Sequence, residues 1–262
     1  MQYSYMVHDE TGGNLFLSER HTDVECIPHL HGNMEIVLVN EGILEMTIDD
    51  EPCTIRAGEA AVVCAYELHS FHSAEHNRCH VLMFSKELSP RISHLFTSYR
   101  PRSRVFPVSE LCMALTERLL PLARNSADPI RALAALSPLL CDLQGACGFE
   151  ARNAAANERF LSVLEYMDAH FYEEISLESV AAFFGMHAVT LSRQFKSHFK
   201  TNFNAHLNYL RTNHAAYLIK TTGLSFTEIA FLSGFGSIRS FNRAFQRTFQ
   251  VTPTEFMALP TV

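Results

Sequence analysis

The chain has 262 residues, of which 47% are hydrophobic and 20 are Phe, so it can bury a large core and suits two domains. Its seven Cys contain no CxxC pair, which argues against a disulfide framework and favours reduced thiols. No apolar run approaches the ~20 residues needed to cross a bilayer, and nothing resembles a signal peptide. A cytoplasmic protein is therefore expected.

The net charge of −7 is distributed unevenly along the chain. Residues 1–150 contain 11 basic and 20 acidic side chains, residues 151–175 contain 2 and 5, and residues 176–262 contain 8 and 3. The positive excess of the C-terminal third suits contact with a polyanion such as DNA. The acidic remainder opposes non-specific adhesion to DNA and indicates a different role for the N-terminal part.

The first 88 residues are predicted to form an antiparallel β-barrel or sandwich, because short β runs follow one another at close spacing. Turns are predicted at Asp49-Asp50 and Ala57-Gly58, and a hairpin loop at Asn40-Glu41-Gly42. The predicted strands are Leu15–Ser18, Glu35–Val39, Ile43–Ile48, Cys53–Ile55, Ala60–Cys64, Leu68–Phe71 and Cys79–Phe84.

One motif in this stretch contains side chains that bind metals. It consists of Pro28-His29-Leu30-His31, then Glu35, Gly42 and Gly58, and finally His69. Residues two apart on a strand face the same side, so His29 and His31 can share one ion. The motif resembles that of the cupin family, although Cys64 and Tyr66 stand where Pro and Gly are usual. In metal-binding cupins the positions of His29, His31, Glu35 and His69 ligate a divalent ion.

Two interpretations of this motif stay open. The four residues either hold a divalent metal as a cofactor or line an effector pocket without metal, and we favour the pocket without metal. The group His72, His76 and His80 lies near predicted loops, where solvated or hydrogen-bonded His is usual. Cys26 and Cys64 are expected to be buried, unreactive thiols.

Residues 89–147 are predicted to be helical. Leu111–Leu122 and Pro129–Leu143 have apolar residues at helical spacing, with Ser109 and Asp128 as N-caps, and Pro121 and Pro138 are potential kinks. We favour a dimer interface here, because two helices without an extensive core of their own need a surface to cover. The alternative is packing within the monomer by Leu115, Leu119, Leu133, Leu136 and Leu140.

Residues 148–157 are small and polar and are predicted to be a linker. The C-terminal domain that follows, 158–262, contains one unit twice. In each copy a Ser caps a short helix, a Gly-containing turn follows, and a second helix has one apolar face. The first copy contains Ser176, Ala181, Gly185, Leu191, Phe195 and Phe199, which recur as Ser225, Ala230, Gly234, Phe241, Phe245 and Phe249.

The helix predicted over Phe203–Lys220 separates the two copies. At ~1.5 Å per residue it is ~25 Å long, which holds the two second helices near one DNA turn apart, ~34 Å. Their outward faces are polar and cationic, and Arg pairs with guanine, Asn and Gln with adenine, and Lys with phosphate. The expected DNA contacts are Val189, Thr190, Ser192, Arg193, Lys196, Ile238, Arg239, Ser240, Asn242, Arg243, Gln246 and Arg247.

These features resemble the tandem helix-turn-helix domain of the AraC/XylS family of bacterial transcription regulators over about 100 residues. The matching residues are Gly185-Met186, Leu191–Lys196, Arg211 with Ala215, Ile229-Ala230, Gly234-Phe235 and Val251-Thr252-Pro253. Lys200 and Gln250 depart from the pattern, because Gly is usual after each second helix. A left-handed backbone at either residue would cost ~1 kcal/mol relative to Gly.

The resemblance implies a sequence-specific regulator that is not an enzyme and that is controlled by a small-molecule effector in the barrel. It also implies double-stranded DNA as a partner, a homodimer, and RNA polymerase as a further candidate partner. The predicted fold class is α+β, with an N-terminal antiparallel β-barrel and an all-α C-terminal domain. The alternatives are a metal-dependent cupin enzyme and a domain that senses a protein, and no Ser/His/Asp set or paired carboxylates favours catalysis.

Overall fold

The computed structural model describes residues 16–259 except for 90, 93–94, 97–98, 124–127 and 152–153. The described residues form two compact units, with the boundary between Glu158 and Arg159. The first unit contains the β-strands and two long helices, and the second is helical, which confirms the α+β class. Leu15, the predicted start of the first strand, lies outside the described residues.

Seven strands of the first unit and a short eighth form one antiparallel sheet around the central strand β3. The first half of β3 pairs with β5 and β7, and its second half pairs with β4 and β6. Two short strands, β8 and β10, pair separately. The strands are β1 (Phe16–Thr22), β2 (Cys26–His29), β3 (Met34–Ile48), β4 (Glu51–Arg56), β5 (Glu59–Val63), β6 (His69–His72), β7 (Asn77–Phe84), β8 (Tyr99–Pro101), β9 (Val105–Pro107) and β10 (Phe149–Ala151).

The predicted barrel is corrected in one respect, because the described strands form an open sheet that does not close on itself. The predicted hairpin loop at Asn40-Glu41-Gly42 is wrong, since β3 runs through it without interruption. Instead, the register with β7 shifts between Val39 and Glu41, and Gly42 has φ +73. This is the signature of a β-bulge, which bends the strand toward the second half of the sheet. A Cβ at Gly42 would overlap the carbonyl of His76, so Gly is required.

Two helices, α1 (Glu110–Ala123) and α2 (Pro129–Cys147), cover one face of the sheet. Both continue through their internal prolines, and the Asp128 side chain accepts from Ile130 N–H as predicted. The Ser109 hydroxyl accepts from Cys112 N–H at the start of α1. Leu136 is fully buried in the core with the sheet, and Leu119, Leu133 and Leu140 pack against that core.

The predicted linker, 148–157, is not irregular where it is described. It contains β10, and α3 (Ala154–His170) begins inside it, while Arg152 and Asn153 lie outside the described residues. The second unit continues with α4 (Leu177–Phe183), α5 (Ala188–Phe199), α6 (Phe203–Thr221), α7 (Phe226–Leu232), α8 (Ile238–Phe249) and α9 (Pro253–Ala258). No described helix is both long enough and apolar enough to span a lipid bilayer.

The two copies of the repeated unit fold in the same way. Ser176 and Ser225 each form a capping box with the residue three positions later, as the sequence predicts for a helix start. Gly185 and Gly234 have positive φ in the turns that follow α4 and α7. Lys200 and Gln250 end α5 and α8 in the left-handed conformation, with φ +52 and +59.

Candidate DNA-binding faces and a buried histidine–glutamate cluster

Helices α5 and α8 each bury one aromatic face in the second unit. Phe195 is fully buried and meets Phe160 and Phe203 edge-on, with ring centroids 5.2 and 5.6 Å apart. On α8, Phe245 lies 5.4 Å from Phe256. These contacts are optimal for aromatic pairs and fix the rotation of each helix about its axis. The opposite face of each helix is therefore held toward solvent.

The predicted DNA-contacting side chains lie on these outward faces. Val189, Thr190, Arg193 and Lys196 are exposed on α5, and Ser192 is partly exposed. On α8 the exposed set is Ile238, Arg239, Asn242, Arg243, Gln246 and Arg247. Within the described part of the chain, none of the cationic residues on these faces forms a salt bridge, so their charges are available to a polyanion.

Ser240 is the exception in this set. It is partly exposed, and its hydroxyl donates to the carbonyl of Ser237 (2.8 Å), while its N–H donates to the Ser237 hydroxyl (3.2 Å). The side chain is therefore part of the N-terminal cap of α8. The N-cap residue itself is Ser237, so Ser240 has a structural contact, and its predicted contact with DNA stays a prediction.

A second group of polar residues is buried inside the first unit. Strands β2, β3 and β6 bring together His29, His31, Glu35 and His69, which we call the histidine–glutamate cluster. His29 and His69 face each other across the β2–β6 pair, with ring centroids 4.2 Å apart. Glu35 Oε2 lies 3.2 Å from His31 Nε2 and 3.8 Å from His69 Nε2. All four residues of the sequence motif therefore meet at one place.

The hydrogen bonds of two rings determine which nitrogen faces Glu35. His31 Nδ1 lies 3.0 Å from the carbonyl of Asn33, and His69 Nδ1 lies 2.8 Å from the carbonyl of Glu67. A carbonyl only accepts, so each Nδ1 carries a hydrogen and the Nε2 of a neutral ring presents a lone pair to the cluster. Lone pairs and a carboxylate repel one another. A bound cation or a hydrogen-bond donor among these atoms relieves the repulsion.

The cluster also fits the donor set of a divalent metal. The ligand atoms of His29, His31 and His69 lie within 4.8 Å of one another, and a tetrahedral zinc ion holds nitrogens ~3.4 Å apart, at ~2.0–2.1 Å from the ion. The carbonyls of Asn33 and Glu67 accept from His31 and His69, and metal-binding imidazoles are commonly oriented by acceptors of this kind.

Two thiols near Glu35 have raised pKa values. Burial raises the pKa of Cys26 to about 12, and the charge of Glu35 raises it further. Cys79 has its pKa raised to about 12 for the same two reasons. Both thiols therefore stay protonated at neutral pH in the metal-free protein. For Cys26 this agrees with the expected unreactive thiol.

The other predicted histidine group does not form a site. His72 pairs with Glu25 and His76 with Asp23, both on the surface at 3.0 Å. His80 lies apart from them and is buried, with its Nδ1 2.8 Å from the Asn40 side chain. Burial lowers the pKa of His80 to about 4, and nearby Arg20 and His21 lower it further. The three residues therefore share no common ligand position.

Two residues that the sequence did not single out lie next to the cluster: Glu67 contacts His69, and Arg104 contacts Glu67. Glu67 lies between β5 and β6, and its buried carboxylate pairs with Arg104 at 2.8 and 2.9 Å. The available signal for Glu67 was its position two residues before His69 in an apolar stretch. Arg104 lies 37 residues further along the chain, and no local pattern links the two.

The geometry defines a DNA-binding protein with two helix-turn-helix units and a separate sheet domain. Residues 180–258 match the family model of a helix-turn-helix domain, and residues 17–85 match that of a cupin domain. Over 245 residues the chain is 28% identical to the HTH-type transcriptional activator RhaS of Enterobacter sp. (strain 638). It is 29% identical to RhaS of Salmonella arizonae, and each alignment covers 87% of this chain and 86% of the relative.

A solved structure has the same fold. ToxT from Vibrio cholerae with a bound unsaturated fatty acid superposes with a TM-score of 0.64 at 15% identity, over 92% of this chain and 94% of that chain. ToxT from Vibrio cholerae O395 gives a TM-score of 0.61 at 14% identity, over 93% and 97%. The protein is a DNA-binding transcription regulator and not an enzyme. Together these likenesses support an AraC-family regulator with an N-terminal cupin-like domain.

Proposed function

We propose that α5 and α8 read the operator sequence and that an effector bound at the histidine–glutamate cluster controls this binding. The proposed effector site is supported by the surroundings of Glu35. Its Oε1 is buried and has no hydrogen-bond partner among the described residues. A buried acceptor without a partner costs ~1–3 kcal/mol, and more when charged, so a ligand that supplies a donor would be stabilised there.

For the operator, the proposed base contacts are made by Arg193, Arg239, Asn242 and Arg243. Val189 and Ile238 meet thymine methyl groups, and Lys196 and Arg247 meet phosphates. The exposure of these side chains on helices with fixed rotation supports this assignment. Thr190, Ser192 and Gln246 lie on the same faces and complete the contact surface.

Selection of bound duplexes from a random pool supplies the operator, and fluorescence anisotropy then measures affinity. Arg243→Ala should weaken binding to the selected duplex by ~1–3 kcal/mol and relax the preference at one position. The matched control is Arg56→Ala, an exposed arginine of β4 outside both reading faces. Equal losses on selected and random duplexes would contradict a base contact by Arg243.

The chemistry of the cluster restricts its occupant. Of its four residues, Glu35 alone is an acid, so the site favours a small polar molecule with hydrogen-bond donors or positive charge. A ligand carboxylate, such as that of the fatty acid bound to ToxT, would face a buried carboxylate here. We therefore propose a donor-rich effector for this protein.

Thermal shift with separate panels of neutral polyols, amines, fatty acids and divalent ions tests this proposal. A binder at 100 times its Kd stabilises the folded state by ~2.7 kcal/mol. Glu35→Gln should abolish the response, and the control His72→Ala, which alters an exposed residue of β6, should keep it. A response to fatty acids alone, or an unchanged response in Glu35→Gln, would refute the assignment.

A divalent metal is the second candidate occupant, because three imidazoles converge beside a carboxylate. His29, His31, His69 and Glu35 would hold it, and the ion would supply positive charge to the cluster. Metal analysis of the purified protein separates the candidates. Stoichiometric metal that is lost in His31→Ala supports the ion, and a response to organic ligands in metal-free protein supports the polar effector.

We also propose a homodimer through α1. Leu111, Leu115 and Leu122 are 72%, 39% and 63% exposed and lie along one side of the helix at spacings of four and seven residues. A second copy that covers this stripe would bury apolar surface on both partners. Light scattering should show a dimer that Leu111→Lys converts to monomer, while Glu117→Ala, an exposed residue on another side of α1, leaves it intact.

Since the curated relatives are named as activators, we propose that this regulator activates transcription by contact with RNA polymerase. Transcription in vitro from a promoter with the selected operator tests this. Increased transcript supports activation, whereas reduced transcript would indicate repression.

A further inference from the structure

The loop between β5 and β6, residues 64–68, contacts two members of the histidine–glutamate cluster. Tyr66 N–H donates to the carbonyl of His31 (2.9 Å). The carbonyl of Glu67 accepts from Nδ1 of His69 (2.8 Å). The loop therefore sets both the backbone position of His31 and the orientation of the His69 ring.

The side chain of Glu67 fixes this loop to a distant part of the chain. Its carboxylate accepts from Cys64 N–H (2.8 Å) and from both terminal nitrogens of Arg104 (2.8 and 2.9 Å). Burial acts to lower the pKa of Arg104, but the charges of Glu67 and Cys64 and the hydrogen bonds to both together raise the pKa, so the guanidinium stays charged. A bidentate pair of this kind fixes both partners in direction as well as distance.

Arg104 lies at the entrance to the segment that leads into α1. Its carbonyl accepts from Val62 N–H (3.0 Å), and β9, which begins at the next residue, pairs with β5. Val108 N–H then donates to the carbonyl of Gly58 (2.8 Å), two residues before α1 begins. Direct contacts therefore run from the His69 ring through Glu67 and Arg104 to the start of α1.

We infer that Glu67 and Arg104 are positioning residues that fix the His69 ring and pass its displacement to β9 and α1. The inference rests on the proposed effector site and names the route by which an occupant acts on the proposed dimer helix. An occupant that moves His69 must move the Glu67 carbonyl, and the bidentate pair transfers this to Arg104. Because coupling is reciprocal, a change at Arg104 must also alter His69.

Histidine-labelled full-length protein tests the first direction by ¹⁵N NMR, with the His69 signals assigned by their loss in His69→Gln. The wild type should show one tautomer, with hydrogen on Nδ1. Arg104→Met should shift the His69 Nε2 signal toward the position of a protonated nitrogen. Arg104→Lys keeps the positive charge and should return this signal part of the way to its wild-type position. The control is Arg100→Met, because Arg100 forms an exposed pair with Glu150. Unchanged His69 signals in Arg104→Met would overturn the inference.

Arg104→Met leaves Glu67 buried without its partner and is at risk of misfolding. The double variant Glu67→Gln/Arg104→Met removes both charges and provides a second sample. It should show the same loss of a single His69 tautomer, and a wild-type His69 spectrum in a folded double variant would equally overturn the inference.

Hydrogen exchange by mass spectrometry tests the opposite direction. His69→Gln should increase exchange across 99–110, while His72→Gln, at the exposed end of the same strand, should not. Equal exchange in the two variants would contradict transmission. Both measurements use no ligand, so they decide the inference separately from the thermal-shift test of the effector site.

Discussion

Replacing each repeat glycine by alanine distinguishes a merely strained turn from a turn that carries a close backbone contact. Gly185 and Gly234 occupy equivalent turns, with φ +61 and +79. A Cβ at Gly185 meets nothing within 4 Å, so Gly185→Ala should cost only the left-handed strain, ~1 kcal/mol.

Gly234→Ala should cost considerably more. Its Cβ would lie 2.7 Å from Tyr172 Cα, 2.8 Å from the Phe171 carbonyl oxygen and 2.9 Å from Arg211 Nε. Two of these atoms belong to the backbone and cannot rotate away. The same Phe171 carbonyl accepts from Arg211 Nε at 2.7 Å, so relief of the overlap would disturb that bond as well. Overpacking adds ~1–3 kcal/mol and the lost hydrogen bond to a charged group adds ~1.5–3 kcal/mol. With the strain of ~1 kcal/mol, the total is ~3.5–7 kcal/mol.

Calorimetry of the full chain measures the difference. A unit of about 100 residues loses ~4–8 °C in Tm per kcal/mol. The transition of the second unit should therefore fall by at least ~10 °C more in Gly234→Ala than in Gly185→Ala, and operator affinity should fall with it because α8 follows this turn. Equal Tm values for the two variants would refute the close-contact argument.

Three further outcomes are expected. Lys196→Ala should weaken binding to all duplexes alike and reduce the slope of log K against log salt by about 1, and an effect limited to the operator would exclude a phosphate contact. Burial lowers the pKa of His206 to about 4 from 6.5, so its stabilisation is complete above pH 6.5 and is lost as the pH falls toward 4. Denaturation at pH 7.5 and 5 should show a loss of ~2 kcal/mol that His206→Phe removes, and an unchanged pH dependence in this variant would contradict a buried neutral ring. Lys200→Gly should raise the Tm of the second unit by relieving ~1 kcal/mol of left-handed strain, and a lower Tm would show that the Lys200 side chain contributes more than the strain costs.

The helical repeat was accessible from sequence because its information is local. Ser176 and Ser225 cap helices within three residues, and the spacing of Phe241, Phe245 and Phe249 alone identifies the buried face of α8. The hydrophobic period also implies which side chains face solvent, so the exposure of Arg193 and Arg243 followed without any tertiary contact.

Sequence patterns were less reliable where one pattern is compatible with two different structures. Asn40-Glu41-Gly42 contains residues typical of a hairpin, and the same residues suit a bulge in a continuous strand. The pairing of β3 with β7 decides between the hairpin and the bulge, and these two strands are distant in the chain. The leucines of α1 and α2 posed the same problem, since periodicity identifies an apolar helix without saying which surface covers it.

The sequence by itself determined the fold class, the buried and exposed faces of α5 and α8, and the identity of the four cluster residues, because capping, periodicity and motif spacing act over a few residues. Tertiary structure alone decided that Glu67 meets Arg104, that Leu111 and Leu122 stay exposed while Leu136 is buried, and that β3 bends at Gly42. These features depend on which distant segments the folded chain brings together. The hydrophobic periodicity within one segment does not show which distant segment it will contact.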